Sequence, residues 1–342
     1  MTKIVVDVNG ADYSPDQLVL GAVKAIDNIK DLNIILCGGK EEIEKVLSTV
    51  KTDMSRIEIV DAPDTITNMD VPTVAIRQKT ESSLYKAYDL LKNNEEVSAL
   101  VSAGSTGAVL TGAFLKIGRI KGVSRPALCP ILPTVDRVDG QVAITDSGAN
   151  VDCKPINLVH FAIMGNAYLK NVYHVENPRI ALLNIGTEEK KGNELTHETY
   201  PMLKSLEGIN FVGNMEGRDL LNGDVDLVVA DGFSGNVLLK SAEGAVLNLM
   251  KLLKSDIKSR PASMFGALFM KKTFKALKTR MDYNKRAGAV LLGCKKLVVK
   301  SHGSSKAESI YQSIKLAYDM DKANLCHIIE EEIEKVELET ND

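Results

Sequence analysis

The stretch Ser98-Ala99-Leu100-Val101-Ser102-Ala103-Gly104-Ser105-Thr106-Gly107-Ala108-Val109-Leu110 reads as a strand running into a helix through a turn of small residues. Ala99 to Val101 is a short apolar run of the kind that forms a buried strand, and a helical pattern resumes at Ala108. Such a junction leaves backbone N–H groups free at the helix start. Those groups, the Ser and Thr hydroxyls and the helix dipole together favour an anion. Gly104 and Gly107 present no side chain, so an anion can approach the backbone closely. A plain strand–helix turn capped by Ser105 or Thr106 is the competing reading.

Outward from this stretch the same plan recurs. Upstream, strands are expected at Lys3 to Val8, Asn33 to Cys37 and Arg56 to Val60. Between them lie helices from Pro15 to about Ile29 and from Glu41 to Val50, followed by a long helical pattern over Val71 to Asn93. Downstream, strands are expected at Val142 to Thr145, Arg179 to Leu183, Ile209 to Gly213, Asp226 to Ala230 and Leu297 to Lys300. Lys154 to Tyr173 reads as a helix, and the acidic end from Glu330 to Asp342 is expected to fray. Helices alternating with short apolar strands predict a three-layer α/β/α fold around a mostly parallel, doubly wound sheet. Ligands of such sheets sit at the carboxyl ends of the strands. We expect one domain over 1–342, with a helical insertion at 251–286.

Composition narrows the function. The 342 residues are 44% hydrophobic and 25% charged, enough for a large core, and a formal charge of −3 gives no reason to expect nucleic-acid binding. Five scattered cysteines without a CxxC pair suit reduced thiols in a cytosolic protein better than disulfides or a zinc site. The first ten residues lack the apolar core of a signal peptide, and no stretch is long and apolar enough to span a bilayer.

Lys251 to Arg286 breaks this balance, with eleven Lys or Arg residues against Asp256 and Asp282. Met264, Phe265, Leu268, Phe269, Phe274, Leu277 and Met281 recur mostly at three- and four-residue steps, while Lys271, Lys275 and Lys278 share another face. This is a basic amphipathic helical segment. It suits a membrane surface, a dimer contact, or a dock for an acidic carrier protein.

The loops after the strands collect Ser102, Ser105, Thr106, Asn150, Asn184, Asn193, Asp231, Asn236 and His302. Each alone suits a cap or turn. Together at strand ends, neutral donors of this kind suit a phosphate and an oxyanion, with Lys190, Lys191, Arg218, Lys240 and Lys300 as sources of positive charge. Asp7, Asp146 and Asp231 could approach one another as a metal site, but strand-end Asp residues cap helices far more often; no metal or cofactor is expected. There is no GxSxG elbow and no P-loop. Cys129 and Cys153 have no local His partner and read as packing residues; His160 and His174 read as helix residues and His197 as a surface one.

Several motifs resemble the bacterial phosphate acyltransferase family of phospholipid synthesis (PlsX). They are Asp7…Gly10…Asp12, Ser102 to Ala108, Arg125-Pro126-Ala127, Gly148 to Pro155, Asn184-Ile185-Gly186, Lys191 to Leu195, Glu216 to Asp219, Asp231 to Asn236 and His302-Gly303-Ser304. Arg77, Lys79, Ser82 and Ser83 also match in kind. The likeness runs in order from about residue 3 to 320. It departs at Val8-Asn9-Gly10-Ala11-Asp12, where the family shows Ala-Met-Gly-Gly-Asp, and at Ala287-Gly288-Ala289, where it shows Gly-Gly-Ala.

The resemblance implies a homodimer of phosphotransacetylase and isocitrate-dehydrogenase type. It also implies fatty acyl transfer from acyl carrier protein to inorganic phosphate, association with the inner face of the cell membrane, and hand-over of acyl phosphate to a membrane glycerol-3-phosphate acyltransferase. On this footing phosphate falls to Ser102, Gly104, Ser105, Thr106 and Gly107 with help from Lys191 and Asn193, and the oxyanion to Asn236 and His302. Lys240 or His302 protonates the leaving thiol. Asn150, Asn184, Arg218 and Asp231 complete the substrate site, and Phe265, Leu268, Phe269, Lys271 and Lys275 meet the membrane. A nicotinamide-dependent dehydrogenase of the related fold and a membrane-bound scaffold are the alternatives. The first lacks a GxGxxG after its first strand, and the second leaves the polar loops unused.

Overall fold

The computed structural model describes residues 1–13, 15–136, 140–280 and 288–339. Its first half runs β1 (Thr2–Asp7), α1 (Asp16–Asn28), β2 (Leu32–Gly38), α2 (Lys40–Leu47), β3 (Ile57–Asp61), α3 (Pro72–Gln78), α4 (Ser83–Asn93), β4 (Val97–Ser102), α5 (Thr106–Gly112), β5 (Ala127–Cys129), β6 (Ile131–Pro133) and β7 (Gln141–Thr145). Then follow α6 (Pro155–Val172), β8 (Arg179–Asn184), α7 (Glu194–Ser205), β9 (Asn210–Glu216), β10 (Leu227–Val229), α8 (Gly232–Ser259), α9 (Pro261–Phe269), α10 (Lys271–Arg280), β11 (Ala289–Leu292), β12 (Leu297–Lys300), α11 (Ala307–Lys322) and α12 (Leu325–Glu339).

The strands fall into two sheets rather than one. The larger has the order β3-β2-β1-β4-β12-β11-β5 and the smaller β6-β7-β10-β8-β9. Both are mostly parallel; β11 in the first and β6 in the second run against their neighbours. The chain passes between the sheets at Pro130, which separates β5 from β6. Proline has no N–H to continue a ladder, so the extended run changes partners there.

Alternation along the strands builds the layers. Ile4, Val6 and Val8 face one side of the large sheet with α1 and α11, while Val5 faces α3, α4 and α5 on the other. The first side continues without a break into the small sheet through α6, whose residues Asn157 to Leu169 are all buried. A helix apolar on every side belongs in an interior. The outer face of the small sheet packs beneath Leu239 of α8.

Three local expectations are corrected. The pattern from Val71 to Asn93 is two helices, because Ser82 caps α4 by accepting from Tyr85 N and ends the preceding run. His174 lies past the end of α6 with φ of 56°, in the left-handed region. The C-terminal segment stays helical to Glu339 because Ile329 and Ile333 are buried against the core, where α12 packs on α6. Residues 340–342 of that expectation lie outside the described residues.

The stretch from Lys251 onward forms an arm. Leu239 is the last fully buried residue of α8, and α9 has none. Phe265, Leu268 and Phe269 are 66%, 68% and 80% exposed, and Lys271 and Lys275 are exposed beside them. The side chains of Lys278 and Arg280, and residues Met281 to Ala287, lie outside the described residues. No described helix is long and apolar enough to cross a membrane.

Candidate active site

Asp7, Ser102 and Lys300 stand side by side at the carboxyl ends of β1, β4 and β12, paired in register across three neighbouring parallel strands. All three are buried, Asp7 at 1% exposure and Lys300 at 8%. The Asp7 carboxylate accepts from Ser83 Oγ and Ser102 Oγ, each at 2.6 Å, and from Asn9 N at 3.4 Å. Burial pushes its pKa up to about 6, against the pull of those hydrogen bonds and of Lys300. Burial likewise draws the Lys300 ammonium down to about 8.

This network fixes the turn after β4. Gly104 N donates to Ser102 Oγ at 3.1 Å. A side chain at Gly104 would meet Ser102 Oγ at 3.3 Å and Asp7 Oδ2 at 3.4 Å. Ser105 is the residue before α5 but makes no side-chain cap, and Thr106 and Gly107 are exposed. The helix itself is seven residues long and passes into a π-helical turn, Ala113–Ile117.

A second buried carboxylate shapes the loop after β7. Asp146 accepts from the N–H groups of Leu128, Gly148, Ala149 and Asn150 and from Asn150 Nδ2. Its pKa is raised by burial in spite of these donors. The other proton of Asn150 Nδ2 goes to Pro126 O at 2.7 Å. The Asn150 amide is therefore a brace for the loop. The start of α8 presses on this loop, and a side chain at Gly235 would stand 1.9 Å from Asp146 O.

Where these loops meet α8 there is a cavity of about 330 Å³. One wall is apolar, formed by Leu128, Pro130, Ile131, Leu132 and Leu239. The other carries Thr106, Ser147, Asn236, Lys240, Glu243, Lys300, Ser301 and His302. Glu243 lies between Lys240 and His302, 2.8 Å from Lys240 Nζ and 3.8 Å from His302 Nε2. Burial lowers the pKa of the His302 imidazole, and Glu243 opposes that shift.

Asn184, Asn193 and Asp231 border a different cleft of about 400 Å³, beside Leu158, Leu182 and Ser234. Asp231 and Ser234 stand on the opposite face of α8 from Asn236, Lys240 and Glu243, as their spacing on a helix requires. Asn193 caps α7 by accepting from Thr196 N at 3.0 Å, and Asp231 caps α8 by accepting from Ser234 N at 2.8 Å. Asn184 Nδ2 donates to Lys191 O at 2.9 Å. Lys191 is exposed, and Arg218 pairs on the surface with Glu216 at 2.5 Å. Of the expected group Ser102, Lys191 and Asn193, Asn193 borders this second cleft and the other two line neither cavity. Among the described residues no group of three His, Cys, Asp or Glu side chains is placed to hold a metal.

Residues 2–328 match the family described as fatty acid synthesis protein. A phosphate acyltransferase of Thermoanaerobacterium thermosaccharolyticum is 43% identical over 98% of this chain and 97% of its own length. One from Clostridium acetobutylicum is 45% identical over 97% and 99%. The chain belongs to the phosphate acyltransferase family. Its fold is that of a phosphotransacetylase from Streptococcus pyogenes (TM-score 0.63, 18% identity, 94% of each chain covered). It also matches a branched-chain phosphotransacylase from Enterococcus faecalis (TM-score 0.54, 15% identity, 94% and 100% covered). At those identities the likeness establishes the fold alone.

Against this family background, three features of the cavity are hard to read in the sequence. Glu243 follows Asn236 and Lys240 at steps of four and three, the spacing of one helix face, and that spacing was the available signal. Lys300 reads in the sequence only as a source of charge. The apolar wall comes from two three-residue strands, β5 and β6, too short for any periodicity to reveal.

Proposed function

We propose that this chain transfers a fatty acyl group from acyl carrier protein to inorganic phosphate, forming acyl phosphate for phospholipid synthesis. The observation that carries the reading is the two-sided cavity, apolar along Leu128 to Leu132 and rich in donors and cations from Asn236 to His302. An acyl thioester needs the first wall, and an anionic nucleophile with a developing oxyanion needs the second.

Hydrogen phosphate is itself the nucleophile, so no acyl-enzyme is needed. One of its oxygens bonds to the thioester carbonyl carbon, the carbonyl oxygen takes the negative charge, and the C–S bond then breaks. The proton that phosphate gives up balances the one the thiolate takes. Asn236 and His302 face the oxyanion, and Lys240 or His302 delivers the proton to sulfur. The protein's main contribution is to hold the two reactants together in a dry site. Lys191, Asn184, Asn193 and Arg218 stand outside this reacting centre.

The same reading gives the chain a single domain over 1–342 and a cytoplasmic place at the inner membrane face. There the arm from Lys251 to Leu277 lies in the interface, with Phe265, Leu268 and Phe269 in the acyl boundary and Lys271 and Lys275 toward anionic headgroups. A homodimer would cover Phe233 and Val237, four residues apart on α8 and both exposed. The product then passes to a membrane glycerol-3-phosphate acyltransferase. The test is to incubate the protein with palmitoyl acyl carrier protein and phosphate. Released carrier thiol and a hydroxylamine-trapped acyl phosphate, both dependent on phosphate, support the reading; thiol release that ignores phosphate defeats it.

A further inference from the structure

We infer that Lys300 is the cation that holds inorganic phosphate for attack, in a subsite at the end of β12 within the 330 Å³ cavity. This rests on the proposed transfer of an acyl group to phosphate and specifies where that phosphate sits. The Lys300 side chain lines the cavity yet is 92% buried, its exposure being 8%. Its ammonium donates to Ser301 O. Among the described residues, no carboxylate lies within ion-pair distance of it.

A buried ammonium with no carboxylate in direct contact is costly, and such a cation suits a place where an anion will arrive. Lys190 is exposed, and the other cations near the strand ends each differ in one of these respects. Lys240 has Glu243 at 2.8 Å, Arg218 has Glu216 at 2.5 Å, and Lys191 is exposed beside the other cleft. Around Lys300, Asn236 and Thr106 share the cavity wall and offer neutral donors that suit the remaining phosphate oxygens, whereas Ser301 and Ser147 give their hydroxyl protons to Ser313 Oγ and Leu128 O.

The charged groups that face Lys300 are few. Asp7 acts on it from β1, Asp12 from the loop after β1, and Lys240 from α8. Glu243 and His302 complete the wall. The Asp7 carboxylate is already occupied by Ser83, Ser102 and Asn9, so it supports the ammonium from behind without sealing it off. Phosphate binding by wild type weakens as pH rises through about 8, where the amine loses its proton.

The test uses the full chain and inorganic phosphate as the probe. Phosphate binding is followed by calorimetry without acyl donor, and initial rates are measured against phosphate and against palmitoyl acyl carrier protein. We expect Lys300→Met to weaken phosphate binding and raise its KM by about 30-fold or more, while the KM for the acyl donor changes little. Its melting temperature should be no lower than that of wild type. Lys300→Arg should recover part of the phosphate affinity and remove the loss above pH 8, because a guanidinium stays charged. Unchanged phosphate binding in Lys300→Met, or an equal effect on both substrates, overturns the assignment. Should Lys300→Met fail to fold, the pH profile of Lys300→Arg decides alone: the same loss near pH 8 as in wild type refutes the role. If wild type binds phosphate but makes no acyl phosphate, the proposed reaction falls while calorimetry still judges Lys300.

Discussion

Ser102 donates its hydroxyl to Asp7 at 2.6 Å and accepts the Gly104 N–H at 3.1 Å, so one side chain ties the end of β4 to β1 and to the turn that follows. Its place in the turn after β4 is therefore structural. Asp7 lies beneath the turn as a buried anchor, with Ser83 of α4 on its other oxygen at 2.6 Å.

Replacing Ser102 by Ala leaves Gly104 N without its acceptor and removes a donor from a buried carboxylate. A loss of about 1–3 kcal/mol in unfolding free energy is expected. Urea titration measures it, and a change below about 0.5 kcal/mol would contradict the anchoring role.

Gly104 sits where a single methyl just touches Ser102 Oγ and Asp7 Oδ2, at 3.3 and 3.4 Å. Gly104→Ala is expected to keep most activity. The branched side chain in Gly104→Val must displace that pair, and the KM for phosphate should rise at least about tenfold with the circular-dichroism spectrum unchanged. Equal phosphate dependence in both variants would show that the turn does not border the nucleophile.

No cysteine is poised as a nucleophile. Burial pushes Cys37 and Cys326 up to about 12 and Cys153 up to about 11, and raises Cys129 and Cys294 as well. A chain with all five replaced by Ala or Ser should keep substantial activity if it folds. An acyl-thioester trapped on Cys129 or Cys153 during turnover would refute this.

The arm offers Leu268 and Phe269 to solvent without a covering partner among the described residues. Changing both to Glu should release the protein from anionic vesicles in a flotation assay and leave activity in solution nearly unchanged. Retained vesicle binding with collapsed carrier-dependent activity would make the arm a carrier dock instead.

Lys300 also predicts a stability effect with a definite sign. Its folded-state pKa lies below the ordinary 10.5, so its charging opposes folding at low pH and the penalty fades as pH rises from about 8 toward 10.5. Lys300→Met should therefore be more stable than wild type near pH 7, by about 1–3 kcal/mol, with the gain shrinking toward pH 10. A gain that grows with pH would overturn the burial argument.

Local rules placed much of this fold. Alternation and short apolar runs located β12 to the residue and β1, β2, β4, β7 and β8 to within one or two, because each strand is buried and bounded by small or polar residues. The crowding of hydroxyls, amides and cations at the strand ends was also legible, since those ends follow from chain order in a parallel sheet. Sequence alone thus determined the alternating architecture, the basic amphipathic arm and the set of polar residues gathered at the strand ends. Tertiary structure decided how that set divides. Strands far apart in sequence, β4 and β12, lie side by side and bring Lys300 next to Ser102. Pro130 hands the chain from one sheet to the other, and α8 turns Asn236, Lys240 and Glu243 toward one cavity and Asp231 toward another. The side chains of Ser102 and Asn150 are occupied by buried carboxylates, Asp7 and Asp146. These outcomes depend on long-range pairing and on which polar groups burial leaves without water, and neither is encoded in local periodicity.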